Sequence, residues 1–342
     1  MKEAASQRLV ELRKRPDLVA RAYRSGANRR WRVKDPVSLE YFEFSEQEYA
    51  ILDMLDGSAT LADIQNRFAR VFAPLQLGLA QLQNYLHDLY ESGLVLAGAT
   101  GQGGRLLERR RQRAHREMTS RVFNLLAFRL RGFDPQQLLD WLHVRLHWIF
   151  SEWFTAACAA LVFAAAILAA VQFDVIRTRF PALGEFLTAG NLVWLVVVLA
   201  AAKGLHELAH GLTCRHFGGE CHELGIMFLV FTPCLYCNVS DSWMLPLRRQ
   251  RILISAAGVM AELVLAALCT FLWWFSQPGL FNSICLDVML VCSVSTLAFN
   301  ANPLLRYDGY YILADLLHES NLSQKSGALL RRTVTDWLCG IP

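Results

Sequence analysis

The chain has 342 residues and a net charge of +4, 54% of its residues are hydrophobic, and its mean hydropathy is +0.26. This composition is more apolar than an ordinary soluble domain requires, so it favours a membrane protein. A secreted disulfide framework is excluded, because several of the nine cysteines lie within apolar stretches and the polar first residues do not resemble a cleavable signal peptide.

The front of the chain predicts a small α+β domain over residues 31–99, preceded by a polar arm formed by residues 1–30. Two short strands are expected on either side of Asp35. Ser45 and Glu48 then form a capping box, which predicts the start of a helix. Later elements are helices at 61–72 and 79–93 and a returning strand at 94–98.

This order of elements is the outline of a winged helix, a fold that often binds DNA. The third helix, roughly Leu79 to Ser92, contains no Lys or Arg to meet phosphates, so nucleic-acid binding is not expected. With WRVKDP near its start and a helix after LDGSATLADI, the region resembles the PqqD-like peptide-recognition domain of modified-peptide biosynthesis. The resemblance implies that residues 31–97 bind a substrate or leader peptide along an exposed strand edge. A purely structural cap on the rest of the protein is the alternative.

A glycine-rich stretch after Ala99 opens a basic, amphipathic juxtamembrane linker over residues 100–150. Ten arginines lie between Arg105 and Arg145. Such a cluster directly before a hydrophobic span marks the cytoplasmic side and can lie on anionic lipid. A solvated helix face is the alternative.

Four hydrophobic spans form a predicted transmembrane core over residues 151–318, each long enough for a hydrocarbon core of about 30 Å. The spans lie at 153–173, 192–212, 252–275 and 284–305. With the arginines inside, the N-terminus, the loop near Arg248 and the tail at 319–342 are expected in the cytoplasm, and the segments near Pro181 and Pro278 outside. The expected location is therefore the cell membrane, as a multi-pass protein, and the family resemblance described below implies the bacterial inner membrane.

The second span contains HELAH at residues 206–210. On a helix, positions i and i+4 share one face, so His206 and His210 can present two imidazoles to one metal with Glu207 beside a coordinated water. Ionisable groups within a bilayer are costly and must face a protein interior or a wet cavity. A hydrogen-bond network without metal is the alternative, but the order ligand, base, ligand is the one that zinc hydrolysis needs.

A catalytic zinc usually has three protein ligands, so a third acid or histidine is expected elsewhere in the chain. The candidates are Glu262 in the third span and Asp308 at the end of the fourth. If the second span enters from outside near Leu192, His206 lies about 21 Å in, at 1.5 Å per residue, within the cytoplasmic third. Asp308 also lies at a cytoplasmic end, whereas Glu262 is expected nearer the membrane centre. Depth therefore favours Asp308.

The HELAH span, the AG-containing third span and the sequence NANPLLRYDG together resemble the site-2 protease family of intramembrane zinc metalloproteases. More narrowly, residues 31–317 resemble the bacterial peptide zinc metalloproteases that carry a PqqD-like domain in front of the membrane core. This resemblance implies that His206, His210 and Asp308 bind zinc and that Glu207 activates water.

One departure from that family concerns the site, because members often carry Asn where this chain has Glu262. A carboxylate there is either a partner of a ligand histidine or a competing zinc ligand. Asn300 and Asn302 could hold an extended substrate, since an unfolded backbone needs hydrogen-bond partners at membrane depth. Equally, they could end the helix before Pro303.

Residues 218–243, between the second and third spans, are apolar but interrupted by Pro233 and by polar residues. A re-entrant or interfacial hairpin is expected, and in the resembled family such a strand pairs with the extended substrate. Cys234 and Cys237 form a CxxC motif, which could be a second zinc site, a redox pair or unpaired packing cysteines. The predicted fold is thus a mainly α-helical polytopic membrane protein of about four transmembrane helices with a re-entrant hairpin, plus a small N-terminal α+β winged-helix-like domain.

The sequence therefore predicts an enzyme that uses zinc to hydrolyse a peptide bond in or near the membrane. Its substrate would be a peptide or a membrane protein, which the N-terminal domain could present. The alternative is a non-catalytic membrane component of a peptide export, maturation or immunity system, acting with export or maturation partners. The intact HELAH favours the enzyme, because loss of function would remove Glu207 first.

Overall fold

The computed structural model describes residues 9–25, 28–97, 127–129, 132–180, 188–229, 232–317 and 322–339. The chain divides into two compact units, Met1–Leu125 and Leu126–Pro342. The predicted glycine-rich stretch, most of the arginine cluster and the segment that follows residue 180 lie outside the described residues.

The described part of the first unit contains five strands and three helices. They are β1 (Leu12–Lys14), β2 (Val19–Ser25), β3 (Asn28–Asp35), β4 (Glu40–Ser45), α1 (Glu46–Asp53), α2 (Leu61–Val71), α3 (Leu79–Glu91) and β5 (Val95–Ala97). Strands β2, β3 and β4 form an antiparallel sheet in that order, and β1 pairs antiparallel with β5. The elements predicted after residue 31 are confirmed within a few residues, whereas the winged-helix assignment stays a prediction.

Local capping and one apolar face per helix explain the helices of this unit. The Ser45 hydroxyl accepts from the Glu48 amide at 3.2 Å, and the Glu48 carboxylate accepts from the Ser45 amide at 2.7 Å, so the predicted capping box is present. Thr60 and Asp63 form a second box at the start of α2. The apolar faces of the helices meet in one core with residues of the sheet, including Leu52, Ile64, Leu82, Leu89 and Val33.

Residues 9–25, which the sequence analysis assigned to a polar arm, belong to this unit as β1 and β2. The buried Arg15 explains the difference, since its guanidinium donates two hydrogen bonds to the Asp35 carboxylate, at 2.8 and 3.0 Å. Burial alone would raise the pKa of Asp35, but hydrogen bonds from Arg15, the Val37 amide and Ser38 hold it below its usual value. The partner of Arg15 is twenty positions away in the sequence, so the polar sequence of residues 9–25 alone does not indicate a folded segment.

The second unit is mainly helical, and four of its helices are long and apolar enough to cross a membrane. Its helices are α4 (Gln136–Leu146), α5 (Glu152–Val171), α6 (Phe173–Arg179), α7 (Ala189–His216), α8 (Arg248–Phe275), α9 (Leu280–Leu290), α10 (Asp308–Leu317) and α11 (Leu322–Cys339), with 3₁₀ turns at His147–Phe150 and Ser240–Met244 and a π-helical continuation of α9 at Val291–Asn300. The candidate spans are α5, α7, α8 and the continuous helix Leu280–Asn300. All four predicted spans are confirmed by length and composition.

Helix α8 lies at the centre of this unit, where it packs against α5, α7, α9 and α10. The small residues Ala257, Gly258 and Ala266 are on its buried surface, and small residues let helices approach closely within a membrane. The buried surface of α8 therefore contacts several neighbouring helices, which is why this helix can carry the fully buried Glu262.

A β-hairpin follows α7 and consists of β7 (Leu224–Leu229) and β8 (Thr232–Cys237). Strand β6 (Ala127–Arg129) pairs with β7, so the sheet order is β6-β7-β8 and β8 is its edge among the described strands. Strand β8 packs against α7. A hairpin thus occupies the predicted segment, and its re-entrant position in a membrane stays a prediction.

Candidate metal centre

The two histidines of HELAH lie on one face of α7 and are both buried, with His206 4% and His210 5% exposed. Their spacing of four residues places the rings one above the other, and the two Nε2 atoms are 3.1 Å apart. Both rings lie against Gly258 of α8. The structure therefore brings together two of the three predicted ligands through local helix geometry alone.

Asp308 reaches the same point from the other side, as the first residue of α10. Its Oδ2 atom is 3.0 Å from Nε2 of His206 and 3.3 Å from Nε2 of His210. His206, His210 and Asp308 thus form a group that could hold a metal ion. The carboxylate lies 98 residues along the chain from His210, so tertiary structure must position it.

The chain before Asp308 is shaped to turn the carboxylate towards α7. The π-helical segment ends with a wide turn in which the Ala301 amide donates to the Thr296 carbonyl at 2.8 Å. Such wide turns are rare and occur frequently at functional sites. Gly309 then lies so close to the chain that a Cβ there would be 2.4 Å from the Ala301 carbonyl oxygen, so only glycine fits after Asp308.

An ion pair holds α10 against α8. The Arg251 guanidinium donates to Asp315 at 2.9 and 2.5 Å and to the Leu245 carbonyl at 3.2 Å. Arg251 is buried, and Asp315 lies two helical turns after Asp308 on α10. The pair fixes the helix whose first residue completes the cluster.

The geometry of the three groups suits zinc. Tetrahedral zinc with bonds of about 2.0 to 2.2 Å separates neighbouring ligand atoms by about 3.3 to 3.6 Å, and the three atoms here lie 3.0 to 3.3 Å apart. Oδ2 of Asp308 is also a buried oxygen with no hydrogen-bond donor among the described residues. Three lone-pair atoms that converge in a buried site repel one another unless a proton or a metal cation lies between them.

The second nitrogen of each imidazole lies near a separate acceptor, and in His210 it is hydrogen-bonded to that acceptor. Nδ1 of His210 is 2.6 Å from the Ile254 carbonyl oxygen, which can only accept, so this nitrogen carries the proton and Nε2 keeps a free lone pair. Nδ1 of His206 faces the Glu262 carboxylate at 3.5 Å. This arrangement of acceptor, histidine and ligand atom is the one that metal-binding histidines usually have.

Gly258 of α8 lies directly against both imidazoles. A Cβ at this position would be 2.5 Å from Nε2 of His206 and 2.5 Å from Nε2 of His210. Real Cβ atoms do not approach other atoms this closely, so the absence of a side chain makes room for the ligand nitrogens. The sequence analysis noted the AG of this span only as part of a resemblance and assigned Gly258 no role.

Glu262 is fully buried and lies on the Nδ1 side of His206, not on the Nε2 side where Asp308 lies. Its carboxylate accepts from Lys203 at 2.8 Å and from the Thr296 hydroxyl. Asn300 also points to it, with Nδ2 3.5 Å from Oε2. Of the two readings left open by the sequence, the geometry favours a partner of a ligand histidine over a competing ligand. Lys203 was missed, although two opposite charges in separate spans are a signal for such a pair.

Glu207 follows His206 on α7 but is not part of the three-residue cluster. Its half-buried carboxylate interacts with the backbone of Cys237 at the end of β8, and electrostatically with both histidines and Asp308. It therefore lies between the cluster and the edge strand of the small sheet. A role of Glu207 as general base stays a prediction.

The two asparagines before Pro303 are both engaged within the fold. Asn300 contacts Glu262, while Asn302 donates to the Ala298 carbonyl at 3.4 Å and accepts from the Leu304 amide at 2.9 Å. Asn302 thus supports the helix end, which is one of its two predicted roles. A role of either residue in holding a substrate stays a prediction.

A second group that could hold a metal, absent from the sequence analysis, consists of Glu220, His222 and Asp241. Nε2 of His222 is 3.2 Å from Glu220, while Asp241 accepts from the Glu220 backbone amide at 3.1 Å. Glu220 is half exposed and Asp241 is already occupied, so this group lacks the convergence of free lone pairs found at Asp308.

The comparisons with known proteins agree with a metalloprotease at a coarse level. Over 132 residues, which are 37% of this chain and 50% of the relative, the chain is 29% identical to "Putative peptide zinc metalloprotease protein YydH" of Bacillus subtilis (strain 168). The chain thus spans about half the length of this curated relative. No protein-family model and no solved structure matches the chain.

Proposed function

We propose that this protein is a zinc-dependent peptidase of the membrane, with His206, His210 and Asp308 as zinc ligands and Glu207 as general base. The observation that carries the proposal is the convergence of three buried ligand atoms within 3.3 Å of one another, beside a separate carboxylate. Similarity to a protein named as a peptide zinc metalloprotease supports the same reaction class.

The ligand set leaves one position open for chemistry. Three protein ligands are the usual number in catalytic zinc sites, with water or substrate as the fourth. When bound, zinc supplies a Lewis acid that makes water more acidic and polarises a carbonyl group. Asp308 contributes one negative charge and the two neutral imidazoles contribute none, so the ion with its three protein ligands would keep one positive charge, which the adjacent Glu207 balances.

Glu207 moves the protons in the proposed reaction. Its carboxylate takes a proton from the attacking water and returns it to the amine that leaves when the peptide bond breaks. The carboxylate interacts with the backbone of Cys237 at the end of β8, which supports a position beside the cluster. Because Glu207 itself is no ligand, its role can be separated experimentally from metal binding.

Strand β8 offers a place for the substrate. It is an edge strand of the three-stranded sheet and packs against α7, which carries Glu207. An extended peptide could add to this edge through backbone hydrogen bonds, which would satisfy its amides in an apolar environment. The scissile bond would then lie beside Glu207, and a helical substrate would have to unwind first.

The proposed substrate is a peptide or a membrane protein cleaved in or near the membrane. The first unit would present it, since β2 and β4 are edges of the sheet within the described residues and α3 contains no Lys or Arg to favour nucleic acid. We place the N-terminus in the cytoplasm on the basis of the arginine distribution. Export or maturation factors are the partners that such a peptide-processing protein would need.

The test compares zinc content and cleavage in the purified chain and in Glu207→Gln. We expect the variant to keep nearly one zinc per chain and to lose cleavage of co-expressed candidate peptides, followed by mass spectrometry. The matched control is Glu152→Gln at the exposed start of α5, which should change neither quantity. Full cleavage by Glu207→Gln would show that Glu207 is not the general base. Zinc without cleavage in the unmodified chain, against every candidate peptide, would favour the non-catalytic component.

A further inference from the structure

Two thiols meet beside the proposed catalytic base. The Sγ atoms of Cys221 and Cys237 are 3.1 Å apart, and both cysteines are free. Cys221 lies in the segment that follows α7 and is 1% exposed, while Cys237 is half-buried at the end of β8. The sequence motif pairs Cys237 with Cys234, whose side chain lies outside the described residues, and the structure shows a contact between Cys237 and Cys221.

Cys221 and Cys237 lie close to Glu207 and to the helix that carries the two histidines, so a change in the position of these cysteines is expected to affect the candidate metal centre. The Cys237 backbone interacts with the Glu207 carboxylate, and its Sγ atom would be 3.2 Å from a Cβ at Gly211, one residue after His210. The two cysteines pack with Leu139 and Leu212 in one apolar cluster. The two sulfur atoms thus lie among packed apolar side chains, next to the end of β8.

We propose that Cys221 and Cys237 form a reversible disulfide that slows the peptidase, an effect that rests on the proposed function. The oxidant is a peroxide. The Sγ–Sγ bond forms as the O–O bond of the peroxide breaks, and with hydrogen peroxide the two thiol hydrogens leave in two molecules of water. A dithiol reductant reverses the reaction by thiol–disulfide exchange and is itself oxidised.

The geometry explains why bond formation would affect catalysis. A disulfide has an S–S distance of about 2.0 Å, so the two sulfur atoms must approach by about 1 Å. Because the apolar cluster is packed, the end of β8 moves with Cys237 and shifts the backbone that contacts Glu207. A displacement of about 1 Å at a reacting group can lower a rate by about 100-fold.

A second thiol contact provides the control. Cys269 on α8 and Cys285 on α9 also touch each other, in a separate apolar cluster that contains Trp273. This pair contacts neither Glu207 nor the three ligand residues. Removing one of its thiols tests the effect of losing a cysteine pair as such.

The experiment treats the full chain in detergent with hydrogen peroxide or with dithiothreitol, then alkylates free thiols and maps disulfides in non-reduced peptides. We expect a Cys221–Cys237 cross-linked peptide after peroxide and a cleavage rate at least about tenfold lower, restored by the reductant. Cys221→Ala should cleave normally and lose peroxide sensitivity, while Cys269→Ala should respond as the unmodified chain does. Zinc content should stay constant throughout.

Two results would overturn the inference: no Cys221–Cys237 cross-link in the peroxide-treated chain, or equal peroxide inhibition in Cys221→Ala. The disulfide mapping is done on the unmodified chain and requires no catalysis. Its result therefore does not depend on how well any variant folds. A cross-link in a chain that cleaves no peptide in either redox state would count against the peptidase and against the slowing effect, while the disulfide site itself would stand.

Discussion

Replacing Gly258 with alanine tests whether the two imidazoles share one metal. The added Cβ would lie 2.5 Å from Nε2 of His206 and 2.5 Å from Nε2 of His210. Atoms in van der Waals contact are about 3.5 Å apart, so each contact would be about 1 Å too short. Either the rings must rotate or α8 must move away from α7.

Both adjustments disturb the ligand geometry. His210 cannot rotate without losing its 2.6 Å hydrogen bond to the Ile254 carbonyl, and that carbonyl belongs to the same helix as Gly258. Overpacking of this kind costs about 1 to 3 kcal/mol of stability. Disturbing the groups around a metal ligand typically lowers metal affinity by about 10- to 100-fold. We therefore expect Gly258→Ala to weaken zinc binding by at least about tenfold and to lower cleavage with it.

The assay measures zinc affinity by competition with a chelator, together with cleavage, on the purified full chain. Gly190→Ala is the matched control, because a Cβ at Gly190 on α7 would have nothing within 4 Å. That control should keep zinc and gain up to about 1 kcal/mol of helix stability. If Gly258→Ala bound zinc as tightly as Gly190→Ala, the two Nε2 atoms would not be joint ligands.

Three further predictions follow from the site and the arrangement of the chain. Asp308→Ala should lower zinc occupancy and cleavage together, whereas Glu262→Asn should keep the metal. If zinc were retained in Asp308→Ala and lost in Glu262→Asn, Glu262 would be the third ligand instead of Asp308. Reporter fusions or cysteine labelling should place the N-terminus and the loop near Arg248 inside, and an external N-terminus would contradict the arginine argument. Deletion of residues 31–97 should slow cleavage of the native substrate without removing zinc from the site, and unchanged cleavage would leave that domain a structural role only.

Site residues can be predicted from the sequence when they lie close together in the chain. His206, Glu207 and His210 are close in the chain, and helix periodicity alone places the two imidazoles together. Asp308 was favoured by a depth argument that treats each span as a straight helix. In the structure, a π-helical segment and a close backbone contact at Gly309 bring Asp308 to the two histidines. Neither feature can be predicted from the spacing of residues along a regular helix.

Other features depend on how helices are rotated against one another, which no single span reveals. Gly258 matters because it faces two side chains of another helix, and Lys203 because it faces Glu262 across 59 positions of sequence. The same limit applied to residues 9–25. Their strands looked like a polar arm because the partner of the buried Arg15 is Asp35, twenty positions later.

Charge balance links the unusual glutamate to the rest of the site. In an apolar environment, buried charges are tolerated only when they are compensated nearby. Zinc would balance the formal charges of Asp308 and Glu207, and Lys203 already balances Glu262 at 2.8 Å. If Glu262 were a ligand, Lys203 would lose its partner and a third negative charge would surround the ion. An asparagine at this position, as in the resembled family, needs no counter-ion and can still accept a hydrogen bond from a histidine. Glu262 and Lys203 are therefore best understood as one neutral unit that supports His206, and a chain that changes one of them is expected to change the other.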